Sequence, residues 1–225
     1  AEEMVLVPAG VFVMGDGTAW CASDEREVTL THDFLLAPFE VTNSEYRDLL
    51  QWAFDQGYVS ADSTTVRDRL DGCDKELVDL DDEDCEITFD GRSFGLRQAP
   101  SLFAAEAYPE GYDPAYHPVK EVTWYGAVAY CDWLNLRDGL PRTYDHAREE
   151  CVGGDPYAAP GYRLPTDAER EYAAQYDDER IYPWGDAEPE LTMANFSVQD
   201  FGTGWTVPVG SYPPAPVIHG GPLYD

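Results

Sequence analysis

The stretch that most restricts the fold is Gly161-Tyr162-Arg163-Leu164-Pro165-Thr166-Asp167-Ala168-Glu169-Arg170-Glu171-Tyr172-Ala173-Ala174. Pro165 holds Leu164 extended, so the chain arrives there as strand or loop. Thr166 can accept from backbone N–H groups of the next turn, and Glu169, three residues on, completes a capping box. Ala168 and Tyr172 share one helical face, and Ala173 and Ala174 leave room for close packing. A helix is thus started sharply out of extended chain. The same opening recurs at Thr42-Asn43-Ser44-Glu45, where Tyr46, Leu49, Leu50 and Ala53 follow at helical spacing. A further helix after Trp124 is predicted to place Ala127, Tyr130, Cys131 and Leu134 on one face and to stop at Gly139.

Between these helices turn residues dominate. Seventeen prolines and nineteen glycines exclude a helical bundle and favour short strands with many turns. At 225 residues the chain suits one domain, residues 1–225, burying about 70% of its unfolded surface. Met4 to Val7 and Val11 to Met14 flank Pro8-Ala9-Gly10 and are predicted to pair as a hairpin. Val28, Leu30 and Phe34 to Val41 continue as strands. Residues 55–85 read as loop, increasingly acidic up to Asp79-Leu80-Asp81-Asp82-Glu83-Asp84. A calcium-binding EF-hand loop is excluded there, because its sixth position would be Asp84 rather than glycine. Cys73 and Cys85 bracket this loop in a way that suits a disulfide.

Asp90-Gly91 signals a tight hairpin, so residues 70–91 form an acidic loop leading into a hairpin. Gly91-Arg92-Ser93-Phe94-Gly95 spells a nucleophile elbow, but such a serine must sit between a strand and a helix. These flanks are strand on both sides, so no nucleophile is assigned. Gln98 to His117 is read as proline-punctuated loop, and residues 136–160 as an insertion before the central stretch.

The chain carries 44 acidic and 14 basic residues, a net charge of -30, which repels nucleic acid and favours a solvated surface. No apolar run is long enough to span a membrane. A disulfide within five cysteines leans towards an exported protein. His32, His117, His146 and His219 show no ligand-like spacing.

Several segments, in order, resemble the formylglycine-generating enzyme (sulfatase-modifying factor) family. They are Glu40 to Asn43, Pro118 to Trp133, Gly161 to Ala174, Tyr182-Pro183-Trp184-Gly185, Ala194-Asn195-Phe196 and Thr206 to Pro214. The resemblance implies an α+β, C-type-lectin-like fold, irregular, with few helices and short strands. It also implies an oxidase that uses oxygen and copper, held by two cysteines, to convert a cysteine in a sulfatase to formylglycine. Paired thiolates suit that role because soft sulfur ligands select Cu(I).

The family's copper-binding cysteines lie in its C-terminal third, and this chain ends at Pro222-Leu223-Tyr224-Asp225 inside a motif that precedes them. The expectation is therefore a fold incomplete at its C-terminus, with no catalytic residue to carry over and no activity of the chain alone. By the same resemblance Cys131 matches a cysteine that bonds to the missing region; a small buried thiol on a helix face reads equally well. Calcium is implied at Asn195, through its side chain, and Phe196, through its carbonyl oxygen. Asp200 is the nearest third ligand, across a loop shorter than the family's. Asn195-Phe196-Ser197 is also a glycosylation sequon.

The family's tryptophan in the last helix is Arg170 here, which suggests a face that is more exposed or meets different neighbours. Trp124 and Trp133 are expected in the core, a ligand contact being the other use of such rings. The partners implied are a protein or peptide substrate with a cysteine-containing motif or, for a non-catalytic lectin-like module, a protein or glycan ligand. Iron-dependent sulfur-transfer oxidases of related fold draw histidine ligands from an added helical domain and fit this chain least.

Overall fold

The computed structural model describes residues 4–15, 25–175, 180–196 and 204–214. They fall into two compact units. One is built from Ala1–Glu40, Pro165–Ser197 and Val209–Asp225, the other from Val41–Leu164 and Val198–Pro208. Among the described residues no helix is long and apolar enough to cross a membrane.

In the first unit β1 (Val5–Val7) pairs antiparallel with β4 (Phe34–Leu36), and β2 (Gly10–Met14) with β3 (Arg26–Leu30). The hairpin expected between the first two apolar runs is not formed. Only Pro8 and Ala9 separate β1 from β2, and a two-residue hairpin of the favoured type needs positive φ at its first position, which proline cannot adopt. Each run takes a later partner instead: Val5 lies opposite Leu36 and Gly10 opposite Leu30.

The buried side chains Val7, Phe12, Met14 and Leu30 close on Tyr172 and Ala173 of α4 (Asp167–Gln175). Gly10 makes this packing possible, since a Cβ there would lie 2.1 Å from the Tyr172 hydroxyl. The capping box forms as read: Thr166 N–H donates to Glu169 Oε2 at 2.7 Å and Glu169 N–H to Thr166 Oγ1 at 3.2 Å. Arg170 is exposed, as its replacement of a tryptophan suggested.

In the second unit α1 (Asn43–Asp55) also starts with a full capping box, between Thr42 and Glu45, and buries Tyr46, Leu49, Leu50 and Ala53. Its apolar stripe meets Ala129 and Trp133 of α3 (Trp124–Arg137) in the main core. That core also takes Val66, Leu77 and Val78 from an antiparallel sheet in the order β5 (Val59–Ala61), β6 (Thr65–Asp68), β7 (Glu76–Asp79).

This sheet corrects the reading of residues 55–85 as loop. Charged residues at Arg67, Asp68, Glu76 and Asp79 mask the strands, while Val66, Leu77 and Val78 are fully buried. The hairpin β8 (Ile87–Phe89) to β9 (Phe94–Leu96) forms, with Phe89 opposite Phe94. Its loop has four residues rather than two, because the Asp90 carboxylate accepts from both Arg92 N–H (2.8 Å) and Ser93 N–H (2.7 Å). Ser93 donates its hydroxyl to Asp90 and sits between strands, not at an elbow. A short α2 (Leu102–Ala107), capped by Ser101, lies within the segment read as loop.

Helix α3 departs most from expectation. Its buried residues are Gly126, Val128, Ala129, Cys131, Asp132, Trp133 and Asn135, not one stripe of Ala127, Tyr130, Cys131 and Leu134. Ala129 and Trp133 face the main core, whereas Val128 and Cys131 join Tyr144 in a second small cluster. The helix is therefore covered on more than one side. Of the two expected core tryptophans Trp133 is fully buried and Trp124 is 53% exposed.

Candidate functional site

Of the residues assigned to calcium, Asn195 and Phe196 lie in the first unit. Asn195 is exposed and Phe196 half-buried, just after a turn closed by Met193 N–H to the Glu190 carbonyl. Asp200 lies outside the described residues. An amide oxygen and a main-chain carbonyl are hard donors of the kind calcium takes.

Cys73, Cys85, Cys131 and Cys151 are free, and Cys21 is outside the described residues. The expected Cys73–Cys85 bridge is therefore not formed in this structure. Cys85 Sγ instead points to the Ile87 carbonyl at 3.6 Å, on a chain turned by the Asp82 and Asp84 loop. Burial pushes the Cys85 thiol up to about 11 and the Cys131 thiol up to about 12, and raises Cys151 as well. Thiols held protonated in this way are poor metal ligands and nucleophiles.

One buried polar cluster contains a histidine that the sequence did not single out. His146, on the insertion, is 5% exposed and lies between two buried aspartates. Its Nδ1 is 2.5 Å from Asp68 Oδ2, at the end of β6, and its Nε2 is 3.2 Å from Asp132 Oδ2, in the middle of α3. Asp132 is shared further, accepting from Thr143 N–H at 2.6 Å and Tyr144 N–H at 3.2 Å. One turn along, Asn135 donates to the Tyr162 carbonyl and accepts from Tyr162 N–H.

Arg142 forks onto Asp71, which also accepts from His146 N–H at 3.0 Å. The Arg142 hydrogen bond holds the Asp71 carboxyl below its ordinary range. Burial alone would make His146 harder to protonate. Its hydrogen bonds to Asp132 and Asp68 outweigh that and lift it to about 9, so it is a cation at neutral pH. The partners of His146 lie 78 and 14 residues away along the chain. The one sequence signal was Asp132, a charge set between Cys131 and Trp133 inside an apolar helix.

A second network lies around Glu86, which is 1% exposed. Tyr112 OH donates to Glu86 Oε1 at 3.0 Å and accepts from Trp205 Nε1 at 2.9 Å. Lys120 Nζ stands 3.9 Å from the Trp205 ring centre and donates to Asp84 Oδ2 at 2.7 Å. Burial raises the Glu86 carboxyl. Ligand atoms of Asp82, Asp84 and Glu121 converge within 4.8 Å, but Lys120 already answers Asp84. His117 pairs through Nδ1 with Thr206 Oγ1 at 2.9 Å. These groups tie the chain ahead of α3, the β7–β8 loop and the segment around Trp205 together by hydrogen bonds.

The described residues form an irregular α+β scaffold with few helices and short strands. The chain belongs to the sulfatase-modifying factor enzyme 1-like domain family, whose model matches residues 1–220. The formylglycine-generating enzyme of Bos taurus is 28% identical over 94% of this chain and 53% of its own length. The hercynine oxygenase of Mycolicibacterium smegmatis is 26% identical over 98% of the chain and 42% of its own length. The chain thus spans about half the length of the curated relatives it matches. The crystal structure of CarF shares the fold, with a TM-score of 0.55 and 22% identity over 93% of this chain and 72% of that one.

Proposed function

We propose that this chain forms the scaffold of a sulfatase-modifying oxidase, which converts a cysteine within a polypeptide substrate to formylglycine. The observation that carries this reading is the family match, continuous over residues 1–220, together with relatives named formylglycine-generating enzyme. Copper and oxygen are the co-reactants of that chemistry, and Cys73, Cys85, Cys131 and Cys151 are not its copper ligands. Incubating the 225-residue chain with Cu(I), oxygen and a Cys-x-Pro-x-Arg peptide is expected to leave the peptide mass unchanged. A longer polypeptide that joins this chain to a further cysteine pair is expected to convert it. Product from the 225-residue chain would overturn the assignment of its thiols. Failure of the longer form would leave a non-catalytic module binding a protein or glycan.

The relatives named hercynine oxygenase raise a reading with iron and histidine ligands. Two of the four histidines argue against it: both ring nitrogens of His146 are committed to aspartates, and Nδ1 of His117 is bonded to Thr206. Calcium is proposed at Asn195 and Phe196, with Asp200 as third ligand, supported by the hardness of those oxygens. Adding calcium should then raise the melting temperature and EGTA should reverse the rise. An Asn195→Ala variant should not respond, and identical melting of the parent chain with and without calcium would remove the ion from the account.

A further inference from the structure

The insertion and the start of α3 enclose an open pocket lined by Trp124, Tyr125, Asp145, Glu149 and Glu150, with the buried His146 behind them. Its carboxylates are unevenly satisfied. Glu149 is answered by an ion pair from Lys75 and by the Tyr125 hydroxyl at 3.1 Å. Lys75 Nζ also stands 4.5 Å from the Tyr125 ring centre, so one cation is held there by an aromatic face and a carboxylate together.

Trp124 and Glu150 line the same pocket and offer the same two kinds of group, an aromatic ring and a carboxylate. Trp124 stands edge-on to Tyr125, at 81° and 5.4 Å, with half of its surface open to water. Among the described residues no cation lies over its ring. Among the described residues Glu150 has a 3.9 Å contact with Arg148 alone, and Asp145 meets the same guanidinium group at 3.6 Å while accepting from Arg148 N–H at 3.0 Å. The Arg148 side chain is itself 74% exposed, so it satisfies neither carboxylate firmly.

We propose that this pocket binds a guanidinium group, stacked on Trp124 and paired with Glu150. A guanidinium fits better than an ammonium because it is planar, stacks on an indole and presents a fork of donors to a carboxylate. Arginine side chains of a polypeptide and small guanidino compounds share this chemistry. The site is independent of the oxidase reading.

The test follows the Trp124 indole N–H resonance in a ¹⁵N-labelled chain, identified by its loss in Trp124→Phe, during titration with Gly-Arg-Gly. A saturable shift is expected. Gly-citrulline-Gly, the neutral isostere, should bind more weakly by about fivefold, and Glu150→Gln should weaken Gly-Arg-Gly by about threefold to fivefold. The melting temperature of Glu150→Gln should stay at the parent value, because that side chain is exposed. Agmatine binding as tightly as the tripeptide would identify a small guanidino compound as the source. Weaker binding of agmatine would identify an arginine on a polypeptide. No saturable shift, equal binding of the citrulline peptide, or an unaffected Glu150→Gln would each overturn the proposal.

Discussion

Helix α3 meets two surroundings that are built by different means. On the side of α1 it presents Ala129 and Trp133 to an apolar core, with Trp133 set at 67° to Tyr46 across 6.0 Å. On the side of the insertion it presents Asp132 and Asn135, both fully buried, to main-chain groups of Thr143, Tyr144 and Tyr162 and to the His146 ring. The first face is held by area removed from water and tolerates any well-fitting apolar shape. The second is held by directional bonds whose loss strands buried charge. One helix thus joins a permissive contact to a demanding one.

The comparison is broken most forcefully at the apolar face. Trp133→Ala should cost about 3–5 kcal/mol in urea unfolding, and a loss under about 1 kcal/mol would mean that the core does not depend on this ring. The polar face should respond nearly as strongly. Asp132→Ala leaves His146 charged beside Asp68 alone and two N–H groups without their acceptor, for about 3 kcal/mol. Should it cost no more than a surface substitution, the insertion would not be held by α3.

The two faces should separate by pH. His146 is raised from an ordinary 6.5 to about 9, so its stabilisation is fully present below about pH 6.5 and is lost as pH rises through 9. The loss is on the order of 3 kcal/mol, read as a falling urea midpoint between pH 6.5 and 9.5. His146→Gln should flatten that slope, whereas Trp133→Ala should lower the whole curve and keep it. The smallest effect belongs to the shared start of the helix. Thr123 Oγ1 accepts from Gly126 N–H at 3.1 Å, and Thr123→Ala should cost about 1 kcal/mol without altering the pH dependence.

The apolar stripe of α1 and the helix starts were legible in the sequence because their signals are local, whereas the stripe expected on α3 was misplaced. Thr42 with Glu45 and Thr166 with Glu169 lie three residues apart, and Tyr46, Leu49, Leu50 and Ala53 keep a helical period. The polar face was not legible, since Asp68, Asp132 and His146 share no spacing and meet only through the fold. Strands β6 and β7 were hidden for a related reason: their charged residues are local and conspicuous, but the burial of Val66, Leu77 and Val78 depends on helices elsewhere. Pro8 carried the information that β1 and β2 do not pair, through its fixed φ. Of the residues assigned to a ligand, Asn195 and Phe196 lie on a loop that the sequence order alone identified. The aromatic and acidic pocket at Trp124 emerged only when the insertion was seen against α3.

The way Asp132 and Asn135 hold the insertion has a consequence for how this protein can change. Several of their bonds go to peptide groups, at Thr143, Tyr144 and Tyr162, and every residue type but proline offers the same amide and carbonyl. Helix α3 therefore recognises the course of the loop more than its lettering. Exposed residues between these anchor points, unlike the buried His146, are open to exchange, so new surface chemistry can be tried there while the grip on the scaffold is kept.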